Sequence, residues 1–382
     1  MPKLYLSQFL TGLVFWYGIE KLFMTNIGID AIGIGIVTAV ITAFTAIFDI
    51  PVGILADRWS RKGVLVISAA ALAVGSAIMG ISGGLLVYIV GYLFYGVFIV
   101  STSGTYPALV YDVLHDENRA KQYSKIMGRG YALFLMGTFT ANLLSGFLAV
   151  KFGYKFNFMI SVIPCVLNIL LIMTIKEPQF HKNEKKESIF RQLKSSSKVI
   201  FKSKLLRGLA VIMSVFAVVE MFKGEFSQLW MMRYFSAPQI VGILWAAYSI
   251  SWSIGSAIAH RLHKRLKLLI LLSVLPILLM SFIDNSFSII LFMIQAVSSA
   301  AMLNQIETIV QDKTPSGIRA STLSLLSTIG RLIIIPSGLI VGWIVYSYDI
   351  VWALRFITVL ALGGCTYWMV FHWDDIRKVS DT

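Results

Sequence analysis

ADRWSRKGVLVI, residues 56–67, places a short basic loop between two long apolar runs. It aligns without a gap to AHRLHKRLKLLI at 259–270, an offset of 203 residues. SKIMGR at 124–129 and STIGR at 327–331 pair at nearly the same offset. Basic loops after apolar helices recur by chance, but two pairs that agree in offset indicate one duplication. The chain is therefore expected to consist of two related halves.

The apolar runs around these loops are long enough to cross a membrane, which takes about 20 mainly apolar residues. With 57% hydrophobic and 14% charged residues among 382, the chain is too apolar for a soluble domain. The pattern predicts an all-α integral membrane protein of twelve transmembrane helices, and six spans per half make the two bundles parallel repeats. The spans are predicted at about 4–25, 32–56, 63–80, 86–111, 126–150, 156–175, 207–230, 238–260, 268–283, 287–311, 320–346 and 351–371.

We expect three parts: an N-terminal six-helix bundle at 1–175, a cytoplasmic linker at 176–206 and a C-terminal six-helix bundle at 207–382. The linker is rich in Lys, so it either binds anionic lipid headgroups or is a plain solvated loop, and part of it is a candidate surface helix. Lys and Arg resist translocation, and their bias predicts that both termini are cytoplasmic in a plasma (inner) membrane protein. The predicted cytoplasmic cations outside the linker are Arg58, Arg61, Lys62, Arg119, Lys121, Lys125, Arg261, Lys264, Arg265, Lys267, Lys313, Arg319, Arg377 and Lys378, whereas the opposite loops hold Lys151, Lys155 and Arg233.

Several function classes are disfavoured by the same sequence. The net charge of +14 comes from cations between apolar runs, so no nucleic-acid partner is expected. Cys165 and Cys365 lie in apolar segments without CxxC spacing, which indicates neither a disulfide framework nor a metal site. ATP-driven transport would need a GxxxxGK[ST] loop, and an enzyme would need clustered nucleophiles, bases or ligands. We therefore expect no enzyme activity and no cofactor, and the first span is interpreted as uncleaved.

GILADRWSRK at 53–62 resembles the signature loop of the major facilitator superfamily, G-x-L-a-D-r-x-G-R-[RK]. Ser60 stands where the family usually has Gly in a tight turn, and Ser has a steric cost at positive φ that Gly avoids. The resemblance implies the major facilitator fold, transport by alternating access, and a conformational latch. In that latch Asp57 faces the start of the eleventh helix and Arg61 pairs with an acidic residue that ends the fourth. Ordinary positive-inside charges are the alternative, but they do not explain the Asp. The predicted latch residues are Gly53, Asp57, Arg58, Arg61, Lys62 and Asp112.

Ionisable residues inside spans are costly, by about 2.5 to 3.5 kcal/mol on insertion scales, so each suggests function. Glu220 lies near the centre of the seventh span, with Lys223 and Gln228 on the same face. Glu307 and Arg331 could complete an ion-pair network there. Weaker candidates in the first half are Glu20, beside Lys21, and Asp49. Neighbours on a helix point about 100° apart, so one of Glu20 and Lys21 is expected to extend to the membrane surface. For every one of these charges the alternative is a structural pair that locks helices.

These features predict a secondary transporter that moves a small solute and uses protons as the coupling ion, with Glu220 as the titrating group. Acidic, aromatic and Met side chains slightly favour an antiporter for efflux of amphipathic, drug-like compounds. The fifth span lacks the G-x-x-x-G-P-x-x-G-G pattern of family antiporters, so proton-coupled uptake of a small metabolite is the alternative, as is a membrane receptor or scaffold on the same fold. The expected partners are the solute, protons and the lipid bilayer, and the expected functional form is a monomer.

Overall fold

The computed structural model describes residues 1–176, 189–262, 265–315 and 319–380. The rest of the chain, which includes linker residues Lys182, Lys185 and Lys186, the loop residue Lys264 and the three residues before the eleventh span, lies outside the described part. Within the described residues the regular structure is helical, and the all-α membrane class is confirmed.

Eight α-helices lie within residues 1–176, the described part of the first half. The fourth span consists of α5 and α6, which are separated by Gly104 alone, and the first span consists of α1 and α2. The helices are α1 Pro2–Gly12, α2 Glu20–Asn26, α3 Ala31–Arg58, α4 Arg61–Ile81, α5 Leu85–Ser103, α6 Thr105–Asp116, α7 Tyr123–Phe152 and α8 Tyr154–Met173.

Seven α-helices follow in the described ranges 189–262, 265–315 and 319–380. The first of them is not a span: α9 covers part of the linker, as the surface-helix hypothesis suggested, and packs on α10 and α14. Each of the other six occupies one predicted span, and α12 is shorter than the rest. The helices are α9 Ile189–Lys202, α10 Lys204–Tyr234, α11 Pro238–Ile258, α12 Leu266–Met280, α13 Ser288–Asp312, α14 Arg319–Ser347 and α15 Ile350–Ser380.

The helices group into two compact units. One contains the described residues of 1–185 together with 235–249, and the other contains those of 186–234 together with 250–382. The first part of α11 therefore packs within the first unit and its remainder within the second.

The first span is broken, whereas the sequence suggested one continuous span at 4–25. α1 ends at Gly12, and the chain is irregular until a 3₁₀ turn at Tyr17–Ile19 leads into α2. Backbone polar groups at membrane depth need partners inside the protein. Here the Phe15 N–H donates to Ser161 Oγ (2.9 Å), and the Asn157 side-chain amide donates to the Phe15 carbonyl (2.8 Å). α8 thus supplies the hydrogen bonds that the helix lacks.

Glycines let α1 and α7 approach closely. A Cβ atom at Gly12 would lie 2.2 Å from the Phe134 carbonyl oxygen, and one at Gly137 would lie 2.4 Å from the Phe9 carbonyl oxygen. Small residues at a helix contact allow backbones to meet, which is the usual basis of helix packing in membranes. These two positions therefore fix the spacing of α1 against α7.

The link between α3 and α4 is two residues long. Ser60 has φ −167°, an extended conformation, so the steric cost of replacing Gly at positive φ does not arise. Its Oγ accepts a hydrogen bond from the Gly63 N–H at 2.7 Å, which makes Ser60 the N-cap of α4. The departure from the family pattern therefore adds a cap.

Candidate functional site

Glu220 and Lys223 form an ion pair on α10. Lys223 Nζ lies 2.8 Å from Glu220 Oε2, and the side chains are 4% and 20% exposed respectively. Residues three apart on a helix share a face, so the local sequence itself brings the pair together. The carboxylate is the more accessible partner of the two.

Two other helices contact this pair, both within the second unit. The Ser299 hydroxyl of α13 donates to Glu220 Oε1. The indole of Trp252 on α11 lies beneath Lys223, with Nζ 5.1 Å from the ring centroid. The pair therefore joins α10, α11 and α13 through charged and polar contacts.

Further buried polar side chains lie on α10 and α13, the helices that hold Glu220 and Ser299. Gln228 is buried on the next turns of α10, and Gln295 is buried on α13, one turn before Ser299. Neither polar atom of the Gln295 side chain has a hydrogen-bond partner among the described residues. A Cβ atom at Gly224 would meet nothing within 4 Å, so space is open beside the pair. The site combines a charge pair, an unsatisfied amide and open space at the Cα of Gly224.

Glu307 and Arg331 do not close an ion-pair network with Glu220. Glu307 is exposed and lies eight residues along α13 from Ser299, about 12 Å along the helix axis. Its carboxylate has no ion pair or hydrogen bond within the described residues, and the Glu220 contacts are those to Lys223 and Ser299. Arg331 is half-buried on α14 and makes contacts elsewhere.

The first half contains a second buried pair. Lys21 Nζ lies 3.0 Å from Glu20 Oε1, and the Tyr88 hydroxyl donates to the same oxygen at 2.8 Å. The expectation that one of the two charges reaches the membrane surface is wrong, since their side chains are 1% and 9% exposed. The two residues point about 100° apart on the helix, but the long Lys21 side chain bends back far enough to reach Glu20. Asp49, the other candidate in this half, is half-buried and accepts a bond from Ser103 Oγ at 3.3 Å.

Arg61 lies at the centre of the predicted latch. Its guanidinium contacts Asp112, Asp57 Oδ1 (3.1 Å) and the Ala108 carbonyl (3.1 Å). The adjacent Lys62 donates to the Met173 carbonyl at the end of α8 (2.7 Å). The structure thus forms the Arg61–Asp112 pair that the family resemblance implied, and it ties together the ends of α3, α4, α6 and α8. Of the other predicted latch residues, Arg58 is exposed and Gly53 has open space around it.

Arg233 joins three segments in the second unit, a contact that sequence reasoning missed. Its guanidinium binds Asp284 through Nε (3.0 Å) and Nη2 (2.6 Å), and Asp349 through Nη1 (2.5 Å). The Tyr234 hydroxyl also donates to Asp284 at 2.7 Å. Hydrogen bonds from Arg233 and Tyr234 hold the pKa of Asp284 below its usual range. The sequence signal was Arg233 itself, one of the few cations on the predicted outer side.

A small polar cavity in the first unit was missed as well. It can hold the centre of a water molecule in a volume of about 20 Å³, room for about one water. Asn168 donates to Thr11 Oγ at 3.0 Å, and its side-chain oxygen has no hydrogen-bond partner among the described residues. The signal was an amide inside an apolar run. The other polar residues of the lining are Ser7, Gln8, Ser68, Thr102 and Tyr106.

Two helical units, a broken first span and buried ion pairs are typical of a secondary transporter. Residues 4–335 match the family model of the Major Facilitator Superfamily. The chain belongs to that superfamily, so it is a multi-pass membrane protein and a transporter of small solutes, not an enzyme. The all-α major facilitator fold predicted from the sequence is confirmed. The described residues contain ten helices long and apolar enough to cross a membrane and one shorter apolar helix, α12, which is consistent with the predicted twelve spans.

Similar proteins agree with this assignment. An uncharacterized transporter of Buchnera aphidicola subsp. Schizaphis graminum is 29% identical over 172 residues, which cover 44% of this chain and 42% of the relative. The nucleoside transporter NupG has a TM-score of 0.81 at 16% identity, covering 97% of this chain and 98% of its own. A bacterial homolog of the human lysosomal transporter Spinster has a TM-score of 0.76 at 14% identity, covering 96% and 94%. At these identities the structural likeness shows the fold alone.

Proposed function

We propose that this protein is a proton-coupled secondary transporter of the plasma membrane, acting as a monomer, in which Glu220 carries the coupling proton. The supporting observation is the Glu220–Lys223 pair in the middle of a span, with the carboxylate 20% exposed. Burial favours the neutral form of a carboxylate and a nearby cation favours the charged form. A change in hydration as the site alternates between the two sides therefore changes its protonation.

Uptake is the direction that this geometry favours over efflux of amphipathic compounds. A cationic drug-like cargo needs an available negative charge, whereas Glu220 is already neutralised by Lys223 at 2.8 Å. The absence of the antiporter pattern from the fifth span points the same way. Proton-driven uptake of a small solute is thus the proposed activity.

The test is flux in proteoliposomes under an imposed pH gradient. Compounds that raise the thermal stability of the purified protein are taken as cargo, since a ligand that binds the folded state stabilises it. Glu220→Gln removes the titratable group and keeps its volume, so it should abolish acceleration by the gradient while exchange at equal pH persists. Glu117→Gln is the matched control, because Glu117 lies in an exposed loop pair with Arg119. If flux through Glu220→Gln still depends on the pH gradient as in wild type, the proposal is refuted. Absence of any flux in wild type would favour a receptor or scaffold.

A further inference from the structure

The polar cavity of the first unit lies inside a bundle of helices. Its lining comes from α1, α4, α5, α6 and α8, and most of the residues that form it are buried. The centre of a water molecule can move within about 20 Å³ there, which is room for about one water and too little for an organic solute. The size of the cavity therefore limits its occupant to a water molecule or a single ion.

Asn168 is the polar group of this cavity whose hydrogen bonding is incomplete. Its side chain is 5% exposed, and Nδ2 donates to Thr11 Oγ1 at 3.0 Å, while Thr11 in turn donates to the Ser7 carbonyl at 2.8 Å. Asn168 Oδ1 is buried and has no hydrogen-bond partner among the described residues. Turning the amide over would put its NH₂ group in that place, so either orientation leaves one end to be satisfied. A buried amide of this kind usually bonds to ordered water where the protein supplies no partner.

Hydroxyl groups of other helices line the same cavity. Ser68 Oγ donates to the Phe98 carbonyl at 3.2 Å and lies 2.7 Å from Thr102 Oγ1, so the Thr102 hydroxyl can donate to Ser68. The Tyr106 hydroxyl donates to the Leu4 carbonyl at 3.4 Å, which is long for a hydrogen bond of this type. A buried water needs two to four polar partners. The cavity offers both an amide acceptor and hydroxyl groups that accept or donate.

We infer that this cavity binds one ordered water molecule, which donates a hydrogen bond to Asn168 Oδ1 and bonds to hydroxyl groups of the neighbouring helices. The water completes the hydrogen bonding of the amide and links α8 to other spans of the bundle. The site lies wholly in the first unit, so it is independent of the proposed role of Glu220. The hydroxyl groups available to the water are those of Ser7, Ser68, Thr102 and Tyr106.

A bound cation does not suit the same cavity. None of the described residues that line it is Asp, Glu, Lys, Arg or His. An ion that is buried away from water without an opposite charge is strongly unfavourable, whereas a neutral water molecule carries no such cost. An empty cavity is also disfavoured, because cavities that stay dry are apolar. The neutral, polar lining thus selects water.

The test uses two buried cysteines of the purified full-length protein as reporters. Cys165 lines the cavity, whereas Cys365 lies in the second unit, and the two residues are 3% and 4% exposed. A short X-ray pulse splits water into hydroxyl radicals, which modify the side chains beside the water from which they form. Mass spectrometry should show that Cys165 is oxidised severalfold faster than Cys365. A thiol reagent should react with neither cysteine of the native protein, which excludes access of bulk solvent as the cause.

Two variants remove the water in different ways. Asn168→Leu replaces the amide by an apolar side chain of similar size, and Ala69→Val fills part of the cavity but keeps the amide. Both should lose most of the oxidation at Cys165. Ala71→Val is the matched control, because Ala71 is buried on the same helix and is not part of the lining, so this variant should behave as wild type does. Protection of Cys365 from the thiol reagent verifies that each variant is folded, and Ala69→Val carries the test if Asn168→Leu does not fold.

The inference is overturned if wild type oxidises Cys165 no faster than Cys365. It is also overturned if the folded variants oxidise Cys165 as fast as wild type, since the radicals would then not come from water in this cavity. Replacement of sodium by choline in the buffer should leave the oxidation unchanged. A change in the rate at Cys165 would indicate a bound cation in place of water and would equally refute the inference.

Discussion

The Arg61 contacts offer a comparison between two carboxylates that share one guanidinium but differ in burial. The side chain of Asp112 is 2% exposed and that of Asp57 is 32% exposed, while Arg61 itself is 11% exposed. Breaking a buried pair costs about 3 to 5 kcal/mol when one charge is left alone. In Asp112→Asn the guanidinium keeps Asp57 and the Ala108 carbonyl, so we expect a smaller loss, about 2 to 3 kcal/mol, close to that of a hydrogen bond to a charged group. Asp57→Asn removes a partly solvated i,i+4 pair and should cost about 0.3 to 0.5 kcal/mol.

The assay is equilibrium unfolding in mixed micelles titrated with sodium dodecyl sulfate, followed by the reaction of a fluorogenic thiol reagent. Cys165 in the first unit and Cys365 in the second are both buried, so in a Cys365→Ala background the signal reports the unit that contains Arg61. Arg61→Gln should also destabilise. The double variant Arg61→Gln/Asp112→Asn should regain part of that loss, since the buried Asp112 charge is then removed together with Arg61, and Asp57, which also loses Arg61, is partly solvated.

Equal or greater destabilisation by Asp57→Asn would refute the reasoning, because burial would then not set the strength of the two contacts. If Asp57 also belongs to a conformational latch, its replacement should affect transport separately from stability. Asp57→Asn should lower the transport rate although it barely changes the free energy of unfolding. A variant with normal rates would leave Asp57 as a surface charge and contradict the role that the family resemblance implies.

Three other predictions use the same unfolding assay. Gly137→Ala should destabilise the protein, because the new Cβ would lie 2.4 Å from a backbone oxygen of α1. The control is Gly128→Ala, whose Cβ would meet no atom within 4 Å, so it should be neutral or stabilising by up to about 1 kcal/mol. Equal effects of the two substitutions on the free energy of unfolding would contradict the close packing of α1 against α7. Asn157→Ala removes two hydrogen bonds to backbone carbonyls, at 2.8 and 2.7 Å, and should lower the free energy of unfolding by about 2 kcal/mol. Amide hydrogen exchange around residue 15 should become faster. Unchanged exchange there would contradict the role of Asn157 in supporting the break in the first span. Arg233 lowers the pKa of Asp284, so the pair stabilises the fold above the ordinary carboxylate pKa, and this stabilisation is lost as pH falls through the lowered pKa. Arg233→Gln should flatten the dependence of the free energy of unfolding on acidic pH, by less than about 1 kcal/mol because the pair is exposed. An unaltered dependence would contradict the link between the pair and stability.

The spans could be predicted because hydrophobic length is a local property of the sequence. The break in the first span could not, since residues 13–16 are themselves apolar and aromatic. What holds that segment open is distant: Ser161 and Asn157 on α8, and Ser76 on α4, whose Oγ accepts from the Trp16 indole at 3.0 Å. A helix that loses backbone bonds to partners from other spans carries no sign of this in its own residues.

The candidate site, like the fold, could be predicted from the sequence only in part. The Glu220–Lys223 contact follows from a spacing of three on one helix, so the sequence alone indicated it. Ser299, which binds the same carboxylate, lies 79 residues away, and nothing in the spacing linked the two. The Arg61–Asp112 pair, 51 residues apart, could be anticipated through the family pattern alone.

Burial distinguishes Glu220 from the other two paired carboxylates, Glu20 and Asp112. Each of these three carboxylates has a cation partner in its own unit, so pairing by itself does not distinguish them. Exposure does: the side chain is 9% exposed in Glu20, 2% in Asp112 and 20% in Glu220. The first two also accept hydrogen bonds from other helices, Glu20 from the Tyr88 hydroxyl and Asp112 from the Arg61 guanidinium. Near Glu220, a Cβ atom added at Gly224, one turn further along α10, would meet nothing within 4 Å. Of the three, Glu220 is therefore the most exposed carboxylate, which supports the proposal that it carries the coupling proton.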